Sequence, residues 1–302
     1  MMATQNSSPG SQFRDALRDG CVAIPGVFNA LTARMAQRAG FKALYQSGAA
    51  LSAGLAAIPD VGLMTQTEFA EQGRYLTQAV TIPIISDADT GFGEALAVER
   101  TVQHFEQAGL AGLHLEDQEL PKRCGHLSGK SLVSRDAMVA KIKAAAAARR
   151  DASFVLIART DARAVAGIDD ALDRAKAYLA AGADMIFPEA LESAAEFERF
   201  AREIPAPLIA NMTEFGKSPL LTVKQLGGMG YQAVLFPVTL FRTAMKGVEL
   251  ALAHLAADGT QASFLDGMLT RAELYDVLGY ADFDQRDKTY FGSPIRPGEP
   301  ME

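Results

Sequence analysis

The 302-residue chain has no tryptophan and only two cysteines, Cys21 and Cys124. So few thiols exclude a disulfide framework and suit a reducing compartment. Cys21 lies in Cys21-Val22-Ala23-Ile24 and reads as a small core residue. No apolar run approaches the roughly 20 residues that a bilayer-crossing helix needs, so no membrane partner is expected. Residues 1–10 are polar and lack a signal-peptide core; the expected location is cytoplasmic. No basic stretch is long enough to track phosphates, and a net charge of −7 with pI near 5.3 excludes a nucleic-acid binder. No Gly-x-Gly-x-x-Gly follows the first apolar run, which argues against a dinucleotide-binding open sheet. There is no low-complexity insert and no evident linker.

What is present is regular. Short apolar runs cover 21–27, 43–46, 82–86, 112–115, 154–158, 185–187, 207–210 and 233–236. They are continuous in hydrophobicity rather than alternating, as in strands buried on both faces. Helical patterns fall between them, at 29–39, 66–79, 94–108, 134–149, 168–181, 193–203, 222–229 and 240–256. Thr65–Glu68 and Ser193–Glu196 have capping-box spacing, and Gly40, Gly109 and Gly182 stand where helices often end in a left-handed residue. Eight strand–helix units predict one α/β domain over 1–302, a closed (β/α)8 TIM-type barrel with its core at 11–257. A helical extension over 258–292 includes the segment 261–281, opened by Thr270-Arg-Ala-Glu273. The Ser-, Pro- and Gly-rich ends, 1–10 and 293–302, are expected to be poorly ordered.

In such a barrel, chemistry sits at the C-terminal strand ends. The second strand ends in Tyr45-Gln46-Ser47-Gly48-Ala49, where small residues let backbone amides approach a ligand. The third gives Asp87-Ala88-Asp89 and the fourth Glu116. These acids form an all-oxygen set without converging His or Cys, which favours Mg2+ or Mn2+ over zinc, with one or two direct carboxylates. Asp60 is read as an outer acid of the same set. Arg159 ends an apolar strand and needs an anionic partner, whether Glu189, Asp161 or a substrate carboxylate. His114 is assigned to the outward face of its strand as a structural histidine. The stretch 116–126 is the most informative. Its thiol, Cys124, lies among Lys122, Arg123 and His126, whose charges favour a thiolate.

Lys122-Arg123-Cys124-Gly125-His126 resembles the signature of the isocitrate lyase and phosphoenolpyruvate mutase superfamily. Asp87-Ala88-Asp89-Thr90-Gly91-Phe92-Gly93 is similar to its metal loop, and Ser47-Gly48-Ala49 to its substrate loop. Ile58-Pro59-Asp60, Ala158-Arg159-Thr160-Asp161-Ala162, Phe187-Pro188-Glu189-Ala190, Asn211-Met212-Thr213-Glu214-Phe215-Gly216 and Thr270–Tyr275 extend the likeness from about 12 to 285.

The resemblance implies a Mg2+-dependent carbon–carbon lyase acting on a hydroxy di- or tricarboxylate. Its nearest branch cleaves 2-methylisocitrate to pyruvate and succinate, in the methylcitrate cycle of propionate catabolism. Members acting on 2,3-dimethylmalate or oxaloacetate share most of the frame. The metal and Arg159 would then hold the hydroxy-acid end. Ser47, Gly48, Ala49, Gly125, Glu189, Asn211, Thr213 and Arg242 would bind substrate, with Phe187 and Leu235 shaping an apolar pocket. Cys124 would protonate the succinate carbanion, ordered by Glu116, His126 and Lys122. The base stays open between Tyr45 and a metal-bound hydroxide. The polar loop 119–130 is expected to be a lid, open without ligand. The apolar C-terminal helices are expected to exchange between subunits of a homotetramer, a dimer of dimers.

Overall fold

The computed structural model describes residues 7–291; expectations for 1–6 and 292–302 fall outside them. Eight strands form one parallel sheet: β1 (Val22–Val27), β2 (Leu44–Gln46), β3 (Ile84–Asp87), β4 (Gly112–Glu116), β5 (Val155–Thr160), β6 (Met185–Pro188), β7 (Ile209–Asn211) and β8 (Ala233–Phe236). The order is β6-β5-β4-β3-β2-β1-β8-β7, and a parallel bridge between Ile186 and Leu208 links its two ends into a nearly closed barrel. Helices connect successive strands, as a parallel crossover requires, and others precede β1 and follow β8. They are α1 (Pro9–Ala16), α2 (Ala30–Arg38), α3 (Gly48–Ala56), α4 (Gln66–Ala79), α5 (Ala95–Gln107), α6 (Arg135–Ala148), α7 (Arg163–Ala166), α8 (Ile168–Ala180), α9 (Ala194–Glu203), α10 (Val223–Met229), α11 (Thr239–Asp258), α12 (Arg271–Leu278) and α13 (Tyr280–Phe291). The chain divides into two compact units between Thr243 and Ala244.

Local chemistry accounts for the helix ends. Thr65 and Thr270 form full capping boxes with Glu68 and Glu273. Ser193 accepts from the Glu196 amide, but the Glu196 carboxylate turns to the Glu192 amide and to Arg163 instead. Gly40, Gly109 and Gly182 all take positive φ. Two expectations fail near the N-terminal half. Residues 7–10 are ordered, because Ser8 caps α1 and its hydroxyl lies 2.6 Å from that of Ser153. Helix α3, Gly-Ala-Ala-Leu-Ser-Ala-Gly-Leu-Ala, carries no amphipathic stripe and was not foreseen.

Period-two alternation splits the strands between two cores. Leu44, Leu113, Leu115, Leu156 and Val234 face the surrounding helices, with Phe105 and Phe200. Tyr45, Ile85, Ile157, Phe187, Ile209 and Leu235 fill the barrel interior. Because Leu113 and Leu115 point outward, His114 points inward. Its ring stacks on Tyr45 and meets Phe187 edge-on, contrary to the outward assignment. The same parity carries Asp87, Glu116, Arg159 and Asn211 onto the inner face at the top of their strands. Register sets them side by side: Asp87 against His114, Glu116 against Arg159, Arg159 against Phe187, and Asn211 against Leu235.

Candidate active site

At the C-terminal mouth of the barrel is a cavity of about 90 Å3. The inner-face residues Tyr45, Asp87, Arg159, Phe187, Asn211 and Leu235 form its floor and walls. Ser47, Asp60, Glu189 and Thr213 from loops, Ala49 of α3 and Arg242 of α11 rim it, and Cys124, Gly125 and His126 close over it. Gly48 packs just behind, where a Cβ would come within 2.4 Å of Asp87 Oδ2. Ser47 caps α3 by accepting from the Ala50 amide. The amides of Gly48 and Ala49 in that first turn have no intrahelical acceptor, so the helix end suits a carboxylate. Asp89, Phe92, Ala190 and Phe215 hold left-handed backbone without being glycine. Such positions cost about 1–3 kcal/mol each and concentrate at functional loops.

Arg159 meets all three acids within reach. Its Nε lies 2.9 Å from Asp161 Oδ2 and 3.4 Å from Glu116 Oε2, and its Nη1 lies 3.2 Å from Glu189 Oε2. The guanidinium also sits 5.2 Å from the centre of the Phe187 ring. Burial alone would raise the Glu189 carboxyl; Arg159, His126 and Lys130 outweigh it and hold Glu189 well below the usual range. Asn211 Nδ2 donates to both Glu189 oxygens, at 3.2 and 3.3 Å. Arg242 donates to the Glu214 carbonyl at 2.7 Å and lies over Phe215, leaving its exposed head at the rim.

The acidic set gathers around Lys122. Its buried Nζ lies 2.6 Å from Asp89 Oδ1 and contacts Asp60 Oδ1. Burial pushes Asp87 up, yet its carboxyl sits low. Lys122, the Asp89 amide and Arg159 stabilise the anion, while His114 contributes charge only in acid. Burial and the Asp87 charge push Asp89 up to about 7, and burial lifts Glu116 well above its ordinary value against Arg159. Glu116 Oε1 is buried with no hydrogen-bond partner. Asp60 and Asp89 share the one ammonium, Asp87 and Glu116 adjoin them, and a hard divalent cation fits that set of oxygen donors. Among the described residues, no three His, Cys, Asp or Glu side chains converge into a complete ligand cage. That accords with a cation holding most of its ligands as water.

One sequence expectation is reversed here. Cys124 is not placed among free cations. Lys122 is committed to Asp60 and Asp89, Arg123 is exposed, and His126 Nε2 lies 2.8 Å from Glu189 Oε1. Burial pushes the Cys124 thiol up, with Glu189 adding to it, so the group is a protonated thiol near neutral pH. Tyr45 is held here as a neutral phenol. Burial first, then the Asp87 charge, lift its hydroxyl well above the usual phenol range. His114, missed as a site residue, holds it at 2.8 Å through Nε2. Burial lowers His114 to about 4, so the ring is neutral. Its Nδ1 is buried and unpartnered. A proton on Nε2 leaves only a lone pair orphaned and frees the Tyr45 O–H for the cavity.

The 119–130 loop is docked rather than open. His126 Nδ1 accepts from the Lys217 amide at 2.9 Å, Gln118 Nε2 donates to the Arg123 carbonyl, and Lys130 reaches Asp161 at 2.7 Å. Polarity did not prevent packing, because the buried Lys130 and the backbone at Arg123 found partners.

Residues 13–256 match the family description "Phosphoenolpyruvate phosphomutase". The chain belongs to the PEP mutase/isocitrate lyase superfamily. Among curated members, it is similar to a 2-methylisocitrate lyase of Aeropyrum pernix, 53% identical over 92% of this chain and 90% of that one. Among solved members, it resembles an oxaloacetate acetylhydrolase in complex with 3,3-difluorooxalacetate, with TM-score 0.90, 35% identity and coverage of 96% and 99%. A 2,3-dimethylmalate lyase structure matches with TM-score 0.90, 32% identity and coverage of 98% and 99%. In this superfamily member, Cys124, Gly125 and His126 of the thiol loop share one cavity with Asp60 and Asp87 of the acidic set.

Proposed function

We propose that the protein cleaves 2-methylisocitrate to pyruvate and succinate. The observation that carries this reading is a protonated, enclosed thiol opposite a carboxylate-binding floor, in a chain whose curated relatives bear the name 2-methylisocitrate lyase. Arg159 and the first turn of α3 bind the carboxylate of the hydroxy-acid end. Asp87 would hold a divalent cation, taken to be Mg2+, with Asp60, Asp89 and Glu116 around it. When bound, that cation supplies Lewis-acid stabilisation of the developing carbonyl. The Tyr45 O–H donates to the same oxygen. As the carbon–carbon bond breaks, the substrate hydroxyl gives its proton to water and becomes the pyruvate carbonyl. The bond's electron pair passes to the succinate carbon, Cys124 delivers a proton there, and its thiolate is reprotonated from solvent. Asn211, Thr213 and Arg242 bind the carboxylates of the succinate half. Phe187 and Leu235 offer an apolar wall to the methyl group, worth about 1–3 kcal/mol of preference.

The remaining setting is proposed with it: propionate breakdown through the methylcitrate cycle, in the cytoplasm. Among the described residues no helix is long and apolar enough to cross a membrane. A homotetramer with exchanged C-terminal helices is supported by the second unit, whose described residues include none that is buried. The test is pyruvate release from 2-methylisocitrate and 2,3-dimethylmalate, followed by lactate dehydrogenase, and oxalate release from oxaloacetate, each with Mg2+. Turnover of 2-methylisocitrate at least about tenfold above the others is expected. Oxaloacetate hydrolysed faster would transfer the reading to the acetylhydrolase branch.

A further inference from the structure

Lys130 ends the loop that covers the cavity, yet its side chain is 1% exposed. Its Nζ lies 2.7 Å from Asp161 Oδ1 and also donates to the Gly125 carbonyl. The same Asp161 carboxylate receives Arg159 in a fork, Nε to Oδ2 at 2.9 Å and Nη2 to Oδ1 at 3.1 Å. One acid therefore grips a substrate-facing guanidinium and the cover at once. Asp161 is itself fixed from behind. Its amide donates to Asp117 Oδ1 at 2.9 Å, and Asp117 Oδ2 accepts from Thr160 Oγ1 and Tyr178 Oη, each at 2.8 Å. Arg174 closes that network at 3.3 Å.

The turn that Lys130 holds has no slack. A Cβ on Gly125 would stand 2.4 Å from Glu189 Cγ and 2.6 Å from Arg159 Nη2. Pulling on the Gly125 carbonyl thus seats the turn directly against the two residues that line the substrate. A lysine serving only solubility would leave its charged head in water, as the nearby exposed Arg123 does. Burying it is costly unless its partners are in place, and here one partner, Asp161, follows β5 while the other, the Gly125 carbonyl, lies in the cover.

We propose that Lys130 is a positioning residue: through Asp161 it latches the Cys124-Gly125-His126 turn over the cavity and ties that closure to the setting of Arg159. The turnover arm of the test rests on the lyase reading; the latch itself does not.

The test uses the full chain with Lys130→Met, which keeps the stem and removes the charge, and Lys130→Arg, which keeps a cation. Alkylation of Cys124 by iodoacetamide is followed by peptide mass analysis, so that Cys21 is counted separately. It is measured bare and with Mg2+ plus oxalate, alongside kcat and KM for 2-methylisocitrate. In the natural protein, Mg2+ and oxalate should slow alkylation about tenfold or more, and in Lys130→Met by less than about twofold. The kcat should fall about 100-fold with a smaller change in KM, since a misplaced acid costs turnover rather than binding. Circular dichroism and Tm should stay unchanged, and Lys130→Arg should recover part of both readouts. If oxalate protects neither protein, the bare rates decide, the Met variant reacting at least about fivefold faster. Natural protection in Lys130→Met, or equal bare rates, overturns the latch. So does a loss of protection that comes with a lowered Tm, which would make Lys130 merely structural. Should no protein release pyruvate, the lyase reading fails while the alkylation arm still decides the latch.

Discussion

His126 Nε2 stands 2.8 Å from Glu189 Oε1, joining the cover of the cavity to the end of β6. The opposite ring nitrogen accepts the Lys217 amide, so the proton lies on Nε2, facing the carboxylate. Glu189 in turn is held by Arg159 and Asn211. The cover is therefore keyed to the same groups that would bind substrate, and its fit is testable at the residue between thiol and imidazole.

Gly125→Ala places a methyl 2.4 Å from Glu189 Cγ. Neither Glu189 nor Arg159 is free to retreat, each being held by charged partners. The turn should rise by a few tenths of an ångström to 1 Å, carrying Cys124 with it. Displacement of that size costs about 100-fold in turnover. We expect kcat/KM to fall by that factor with an unchanged circular dichroism spectrum; activity within about threefold of the natural protein would show that the turn has room.

Cys124→Ser should fold normally and lose about 10²–10⁴-fold in kcat, because a hydroxyl is a far weaker acid than a thiol. The pH profile adds a sign. The acid must be protonated to act, and burial raises its pKa. Activity should therefore persist through neutral pH and fall only above the ordinary thiol value of about 8.5. A profile already falling between pH 6 and 8, assigned to this thiol by its alkylation rate, would mean a thiolate-stabilising site instead.

Much of the barrel was legible in the sequence, because strands buried on both faces leave continuous apolar runs that no helix period explains. Their ends were not. β3, β5 and β7 run on through Asp87, Thr160 and Asn211, polar residues that hydropathy reads as loop. Those are the positions the site uses, so the chemistry hides the strand end that carries it. Helix α3 was invisible for another reason: Gly and Ala give it no polar face. Motif residues could be named but not paired. That Lys122 neutralises Asp60 and Asp89 instead of Cys124 depends on where β3 and the thiol loop converge, as does the burial of His114. The Asp117–Asp161–Lys130 chain spans two loops and α8, with no local spacing to announce it.

Chelation should abolish turnover, and Mg2+ or Mn2+ should restore it. Asp60 and Asp89 share one ammonium with Asp87 and Glu116 close by, and hard oxygen donors suit these ions. Asp87→Asn should weaken activation by metal at least about tenfold while leaving the Tm within a few degrees. Full activity in excess EDTA, with metal content checked by mass spectrometry, would remove the cation from the reaction.

The last prediction concerns α11 to α13. From Ala244 onward, no described residue is buried. Leu252 is 61% exposed, Phe283 57% and Phe291 68%, far more apolar surface than isolated helices keep in water. Intrinsic propensity leaves helices of 8 and 12 residues marginal unless a face is packed. The occupant proposed for that face is a second copy of this chain, through exchange of the C-terminal helices. Light scattering of the full protein should then give a mass near four chains. Deleting 258–302 should yield a smaller or aggregating species with little pyruvate release. The barrel unit itself should survive, since both its cores lie before residue 244. A soluble truncated monomer with full activity would show that the exposed face has no such role.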